Sequence, residues 1–389
     1  MRGWRGWVAA IVLCAGLSLG AMAGTSTAAT NSASSSAVVT TVAAGLRSPS
    51  GLTLDSAGDL FIADTDQCRV LMLAAQPADL YGHREVPGRL YDVAGSRCGT
   101  AKNDVDYPTG LAVNSLGDLF IAEATANRVV MVRPAGSRSL VDIAGTGVAG
   151  YNGDRQPAPL AQLDEPTGLA VDRGGDLFIA DEANCRVREV AAVGGTQYGQ
   201  AMAPLNIYTV AGTGVCGSAG RGGPAVTGQL FDPVAVAADS AGDLFIDDPG
   251  DQSVLEVHAN QLNVVVGGTG SYQLYLSDGV PAVGIAAELN DPEGIALGLD
   301  GALYLTDTHM RSIRVVPTLT TTVFGRSMTA GDMYTLAGAL PIDTAAGLGD
   351  GTQWILTHLD RPLGIAVAAD GRVYFSDQNT GQVSSIGPG

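Results

Sequence analysis

The 389-residue chain carries 39 acidic against 21 basic side chains, a formal net charge of −18 at pH 7. A surface of that sign repels phosphate backbones and anionic headgroups, which argues against nucleic acid and bare membrane as partners. Hydrophobic residues at 46%, aromatics at only 5% and 53 glycines fit an all-β chain with many turns.

The first 23 residues read as a secretory signal peptide: Arg2 and Arg5, an apolar run over 7–19 too short to span a bilayer, and Ala21-Met22-Ala23 for cleavage. Leu13 is too bulky beside Cys14 for lipoprotein processing, so the expected destination is secretion without an anchor. Loss of Arg2 and Arg5 leaves the mature charge near −20, in keeping with a soluble exported protein. Residues 24–37 are rich in Ser, Thr and Ala and read as a flexible linker.

From residue 38 to 389 one frame recurs. It begins at Pro49, Pro108, Pro166, Pro233, Pro292 and Pro362, spaced 59, 58, 67, 59 and 70 residues apart. Its clearest copy, 163–190, reads LDEPTGLAVDRGGDLFIADEANCRVREV. Residues 168–172 and 176–181 are strands joined by Arg173-Gly174-Gly175, a spacing that suits a tight hairpin. A third strand follows over 186–190. The run Leu177-Phe178-Ile179-Ala180 is apolar at successive positions, so both of its faces are covered. Six copies of such a unit predict a propeller or solenoid, with the surplus length in loops.

A fourth strand recurs between units, over 91–95, 141–145, 208–212, 264–267 and 334–338. The sixth unit lacks one, because the chain ends at Gly389 just after its third strand, whereas Thr40-Thr41-Val42-Ala43-Ala44-Gly45 precedes the first unit. The N-terminal strand is therefore expected to complete blade six and close the ring without an open edge.

Four cysteines follow Cys14. Cys68 and Cys185 stand just before third strands; Cys98 and Cys216 follow the ends of fourth strands. Antiparallel pairing puts these places side by side, so Cys68–Cys98 and Cys185–Cys216 are the expected bridges. Each closes a loop of about 30 residues, worth about 3 to 4 kcal/mol in the chain-entropy picture.

Pro-x-Gly-Leu-Ala-Val-Asp, Gly-Asp-Leu-Phe-Ile-Ala-Asp and Asn-x-Arg-Val together resemble the NHL-repeat family from about Thr40 to the end. The resemblance implies a six-bladed β-propeller of four-stranded antiparallel blades, and binding of a protein or small-molecule ligand through one face. Calcium-dependent lactonases and amidating lyases share related folds, so a metal-dependent enzyme at the channel mouth is the alternative function. Blades four to six depart from the motif: Ser253, Ser312 and Gln382 replace Arg69, Arg128 and Arg186.

One position is acidic in every repeat: Asp64, Glu123, Asp181, Asp248, Asp307 and Asp377. As a ring about the channel these six suit Ca²⁺, another divalent metal or a cationic ligand. As structural residues they cap their own turns and pair with an arginine five residues on, Asp181 with Arg186 for example. Repetition favours the structural reading, since a single site breaks a repeat. The departures include Asp247 beside Asp248, then Asp251, and a two-His, one-carboxylate metal set of Asp307, His309 and His358. His83 and His258 fall toward the opposite face, which leaves a three-His zinc site unsupported. Tyr272, Tyr275 and Trp354 in the long connectors are candidates for a ligand platform. The sequence contains no GxSxG, HExxH or Walker motif, and the glycines at 212–214 and 220–223 open onto no helix. Oligomeric state is not read from the sequence.

Overall fold

Two turns in each repeat are dictated by local chemistry. Between the first and second strands a glycine sits in the left-handed region in all six units, from Gly301 at φ +79° to Gly242 at φ +91°. In blade 1 its amide donates to the carbonyl of Asp55, while Asp55 Oδ1 accepts the amides of Ala57 and Asp59, both at 2.9 Å. Between the second and third strands a short helical turn ends at another left-handed residue: Cys68, Asn127, Cys185, Gln252, Arg311 or Gly381. These two reversals stack three antiparallel strands with little conformational choice left to the chain.

The computed structural model describes residues 37–388 except 96, 102, 136–137, 269–277, 284–286 and 339–357, all within one compact unit, Ser35–Gly389. The signal-peptide segment, Tyr272, Tyr275 and Trp354 lie outside the described residues. Six sheets each hold four core strands, making an all-β, six-bladed propeller. The second strands Leu60–Asp64, Leu119–Glu123, Leu177–Asp181 and Leu303–Asp307 are buried at every position, as their unbroken apolar runs predict. Buried hydrophobic residues fall into six clusters, one at each seam between neighbouring blades. Phe178, Val210, Leu255 and Leu262 lie between blades 3 and 4, for example, and Leu52, Ile62, Ala366 and Val383 between blades 6 and 1.

The surplus length is more ordered than plain loops. Two-stranded hairpins Asp79–Leu80/His83–Arg84, Gly195–Gln197/Gln200–Met202 and Thr321–Val323/Arg326–Met328 are inserted between the third and outer strands of blades 1, 3 and 5. Gln156–Pro157 and Val280–Pro281, from the preceding connectors, add fifth strands to blades 3 and 5. Among the described residues no helix is long and apolar enough to cross a membrane.

Both cysteine pairs form within their own blades, Cys68–Cys98 with Cα atoms 4.9 Å apart and Cys185–Cys216 with 5.3 Å. The N-terminal strand Ala37–Ala44 runs antiparallel to the C-terminal Gln382–Pro388, from Ala37 opposite Pro388 to Ala44 opposite Gln382. It is the outer strand of blade six. Val39 packs on the blade 5–6 core and Ala43 is buried in the blade 6–1 core, so the latch is held by side chains as well as by the ladder.

Deleting the chain through Gly45 removes this ladder, at about 0.5 to 1.5 kcal/mol per main-chain hydrogen bond, and bares an edge. The truncated protein is expected to melt far below the full chain in calorimetry; coincident melting curves would contradict closure by this strand.

Candidate functional site

The inner strands meet around the axis with almost no space between them. The residue two after the repeat proline is glycine in five blades, and a Cβ built on Gly51, Gly110, Gly168, Gly294 or Gly364 would lie within 2.5 Å of the next blade's carbonyl oxygen. The contacts run around the ring: Gly51 against Thr109, Gly110 against Thr167, Gly168 against Val234, Gly294 against Leu363, and Gly364 back against Ser50. Blade 4 alone has a side chain here, Ala235. These strands wall a channel whose mouth is a cavity of about 390 Å³, a size that takes a small molecule.

The six repeated acids are wholly or almost wholly buried at the ends of second strands, and each grips the connector that leads into its own blade. Asp64 accepts the amide of Arg47 at 2.6 Å, Glu123 that of Asp106 at 3.0 Å, Asp181 that of Asp164 at 2.8 Å and Asp307 that of Asn290 at 2.8 Å. Asp248 takes the amides of Phe231 and Asp232, and Asp377 those of Asp360 and Arg361. Arginines complete five of them, as the structural reading expects for Arg69 on Asp64 at 2.8 Å and Arg128 on Glu123. Blade 3 differs. Asp181 pairs with Arg188, at 3.2 Å and fully buried, while Arg186 lies over the Tyr151 ring and donates to the Thr213 carbonyl. Residues 186 and 188 share one face of an alternating strand, so the guanidinium one step further in reaches the carboxylate. Ser312 and Ser253 are compensated likewise, by Arg314 on Asp307 at 3.6 Å and by Arg221, from a connector, on Asp248 at 3.2 Å. Asp251 binds the same Arg221 at 2.9 Å.

Asp307, His309 and His358 are not brought together. No trio of His, Cys, Asp and Glu among the described residues is placed to hold a metal ion. Asp307 is buried on Arg314, whereas His309 is exposed and pairs with Asp291 at 2.9 Å; His358 is exposed. His258, at the other end of its blade, pairs with Asp243.

The channel mouth is lined by other residues. One arc, from blades 3 to 5, presents Glu182, Asp232, Asp291 and Glu293; the opposite arc presents the hydroxyls of Ser50, Thr65 and Thr109, with Arg361 and Gln378 from blade 6. Arg361 bonds Glu293 at 3.0 Å. Burial, then the nearby Asp232 and Glu165, push Glu182 up to about 7. Glu293 is pushed up to about 7 by burial, against the pull of Arg361 and with Asp291 adding repulsion. Asp232 is raised too, by burial and then by Asp248 and Asp291. Raised carboxyls that line a cleft are candidates for a functional site. Sequence reasoning missed these four acids because it followed the acid present in every repeat. For Asp232 and Asp291 the signal is the residue before each proline, which changes from Ser48 and Tyr107 to Glu165, Asp232 and Asp291, then to Arg361; for Glu293 it is the residue after the proline, uncharged in the other five blades.

Residues 163–189 match the model of the NHL repeat. They form an NHL repeat. The chain is similar to the chloroplastic protein SUPPRESSOR OF QUENCHING 1 of Arabidopsis thaliana, 27% identical over 295 residues that make up 74% of this chain and 26% of that protein. It thus spans about a quarter of that relative's length. Its fold is similar to an auxiliary nutrient binding protein from Bacteroides ovatus, with a TM-score of 0.57 at 13% identity, covering 91% of this chain and 77% of the other. A streptogramin B lyase structure matches with a TM-score of 0.50 at 16% identity, over 91% and 98% of the two chains.

Two outcomes are expected. Gly110→Ala places a methyl on the Thr167 carbonyl and should cost about 1 to 3 kcal/mol or more in urea unfolding; a neutral effect would show that the axis has slack. The pH dependence follows from carboxylates raised in the folded state: Glu182 and Glu293 to about 7 and Glu189 to about 8, from 4.5. The folded chain then holds more protons than the unfolded one between about pH 4.5 and 8, so stability falls as pH rises through that window. The melting temperature should be higher at pH 5 than at pH 8; a rise across the same interval would contradict the assignment.

Proposed function

We propose that this NHL propeller is a secreted binding module that takes a small polar ligand in the mouth of its central channel. The observation that carries the reading is the 390 Å³ cavity with two unlike walls, carboxylates on one arc and hydroxyls on the other. Unlike walls recognise a ligand's two ends and fix its orientation. The six repeated acids fall outside this role in the reading, because main-chain amides and arginines occupy their oxygens. They hold the connectors that form the rim. Two intrachain disulfides support an oxidising, extracellular setting. The nutrient-binding neighbour agrees with a binding module, though the likeness shows the fold alone.

A second reading draws on the carboxylates held near neutrality. Glu182 and Glu293, both at about 7, are suited to proton transfer at physiological pH, the requirement of a lyase or lactonase at this mouth. Purified protein that turns over a bound ligand, with the turnover lost in Glu182→Gln, would establish it.

Thermal-shift screening of sugars, amino acids, amines and nucleosides tests the binding reading. A hit should raise the melting temperature of the natural chain. Gln378→Trp, which plugs the mouth from blade 6, should leave the unliganded melting temperature unchanged and abolish the ligand shift. A hit that survives the plug binds elsewhere and would refute the channel.

A further inference from the structure

The sixfold pattern breaks at the seam between blades 4 and 5, next to the channel. The next-to-last residue of the second strand is Ala63, Ala122 and Ala180 in blades 1 to 3. In blades 5 and 6 it is a hydroxyl that serves the following blade's inner strand: Thr306 donates to the Leu363 carbonyl at 2.8 Å, and Ser376 to the Ser50 carbonyl at 2.7 Å. Both acceptors belong to residues of the channel wall. Blade 4 places Asp247 here, opposite Ala235 in the ladder, so by the same geometry its carboxyl faces the wall of blade 5 at Glu293. Asp247 is fully buried and both of its carboxylate oxygens lack a hydrogen-bond partner. Asp248, Glu293, Asp307 and Asp291 surround it electrostatically, and after burial they are what hold its proton on. A buried carboxyl with no partner is costly and uncommon.

The cavity wall on this side carries Glu182, Asp232 and Glu293, of which Glu293 acts directly on Asp247. Arg361 answers Glu293 and His309 answers Asp291, which leaves this arc with more negative than positive charge. The positions of Glu182 and Glu293 are neutral in the other five blades, and that of Asp232 is neutral in blades 1 and 2, so the fold does not require the excess. The charge is spread along a wall, with no trio among the described residues set for a metal ion. That distribution suits a cation delivered on an organic chain.

We propose that the channel's ligand carries an ammonium or guanidinium group, which seats at the blade 4–blade 5 side of the mouth between Glu182, Asp232 and Glu293, with Asp247 behind them. This rests on the channel being the binding site and names the chemistry it takes. Bound there, the cation offsets the mutual repulsion of the three acids and draws charge onto Asp247, so binding releases protons at neutral pH.

Calorimetric titration and thermal shift of the full chain with putrescine and spermidine test this, with 1,4-butanediol as the neutral counterpart of putrescine and calcium chloride alone as the metal arm. The amines should raise the melting temperature and release protons, as read from the buffer dependence of the binding heat, and butanediol should do neither. Glu182→Gln/Asp232→Asn should bind about ten-fold or more weakly while melting higher than the natural chain at pH 8, which shows that it folds. Asp247→Thr, the blade 5 solution, should likewise fold well and release fewer protons on binding than the natural chain. Equal amine binding by the natural chain and the double variant, or stabilisation by calcium without any by amines, would overturn the proposal. Neutral sugars blocked by Gln378→Trp, with the amines silent, would sink the cation and leave channel binding standing.

Discussion

Six inner strands approach the axis so closely that backbone touches backbone, and this contact orders the rest of the molecule. At Gly51, Gly110, Gly168, Gly294 and Gly364 the neighbouring carbonyl occupies the space of a Cβ. Close approach at the axis fixes the angle between blades. The blade angle in turn fixes the thickness of the wedge that the six seam cores must fill, with Phe178 against Leu255 in one and Ile62 against Ala366 in another. A ring has no free end to absorb an error in that angle, so the final gap has to match the final strand. The N-terminal strand closes it, and the clamp of each repeated acid on its own connector keeps the rim from drifting as the loops vary in length.

Most of the scaffold was legible in the sequence because a repeat states each rule six times. Turn glycines, the fully buried second strand, the borrowed closing strand and both disulfide pairings each follow from position within the unit, and all stand in the structure. What failed to transfer was what the repeat itself does not fix. Asp181 looked like the partner of Arg186, yet side chains on one strand face compete for the same carboxylate, and Arg188 lies nearer to it in the folded blade. Surplus residues between strands read as loops, whereas they form hairpins on blades 1, 3 and 5. Asp307, His309 and His358 were grouped by a shared face. A face of a propeller is wide, and one shared face does not bring side chains within ligand distance.

The channel acids were illegible for the opposite reason: each stands at a position that the repeat does not hold constant. Asp232 and Asp291 precede prolines where Ser48 and Tyr107 stand elsewhere, and Glu293 occupies the place of Ser50 and Thr109. Nothing local marks such a residue as functional. Convergence marks it, and convergence appears only once the six inner strands surround one axis. Arg361 on Glu293 shows that some of this charge is internally balanced, which singles out the part that is not.

Stability and recognition therefore pull apart at one seam. A ring selected only for stability would place at residue 247 what blades 5 and 6 already use, a hydroxyl donating to the next inner strand, and would place at 235 the glycine of the other five blades. Both changes lie within the chain's own repertoire, since its other repeats carry them. The same side of the ring instead holds a methyl at the crowded axis, a partnerless buried carboxyl and, on the cavity wall, Glu182, Asp232 and Glu293, each with its proton affinity raised by burial first and by neighbouring acids second. Glu85 and Glu189 are also buried without hydrogen-bond partners, but away from the cavity lining; Asp247 differs from them in the company of Glu293 and Asp291, which do line the cavity, so that a cation seated on the wall would act on it through those two acids.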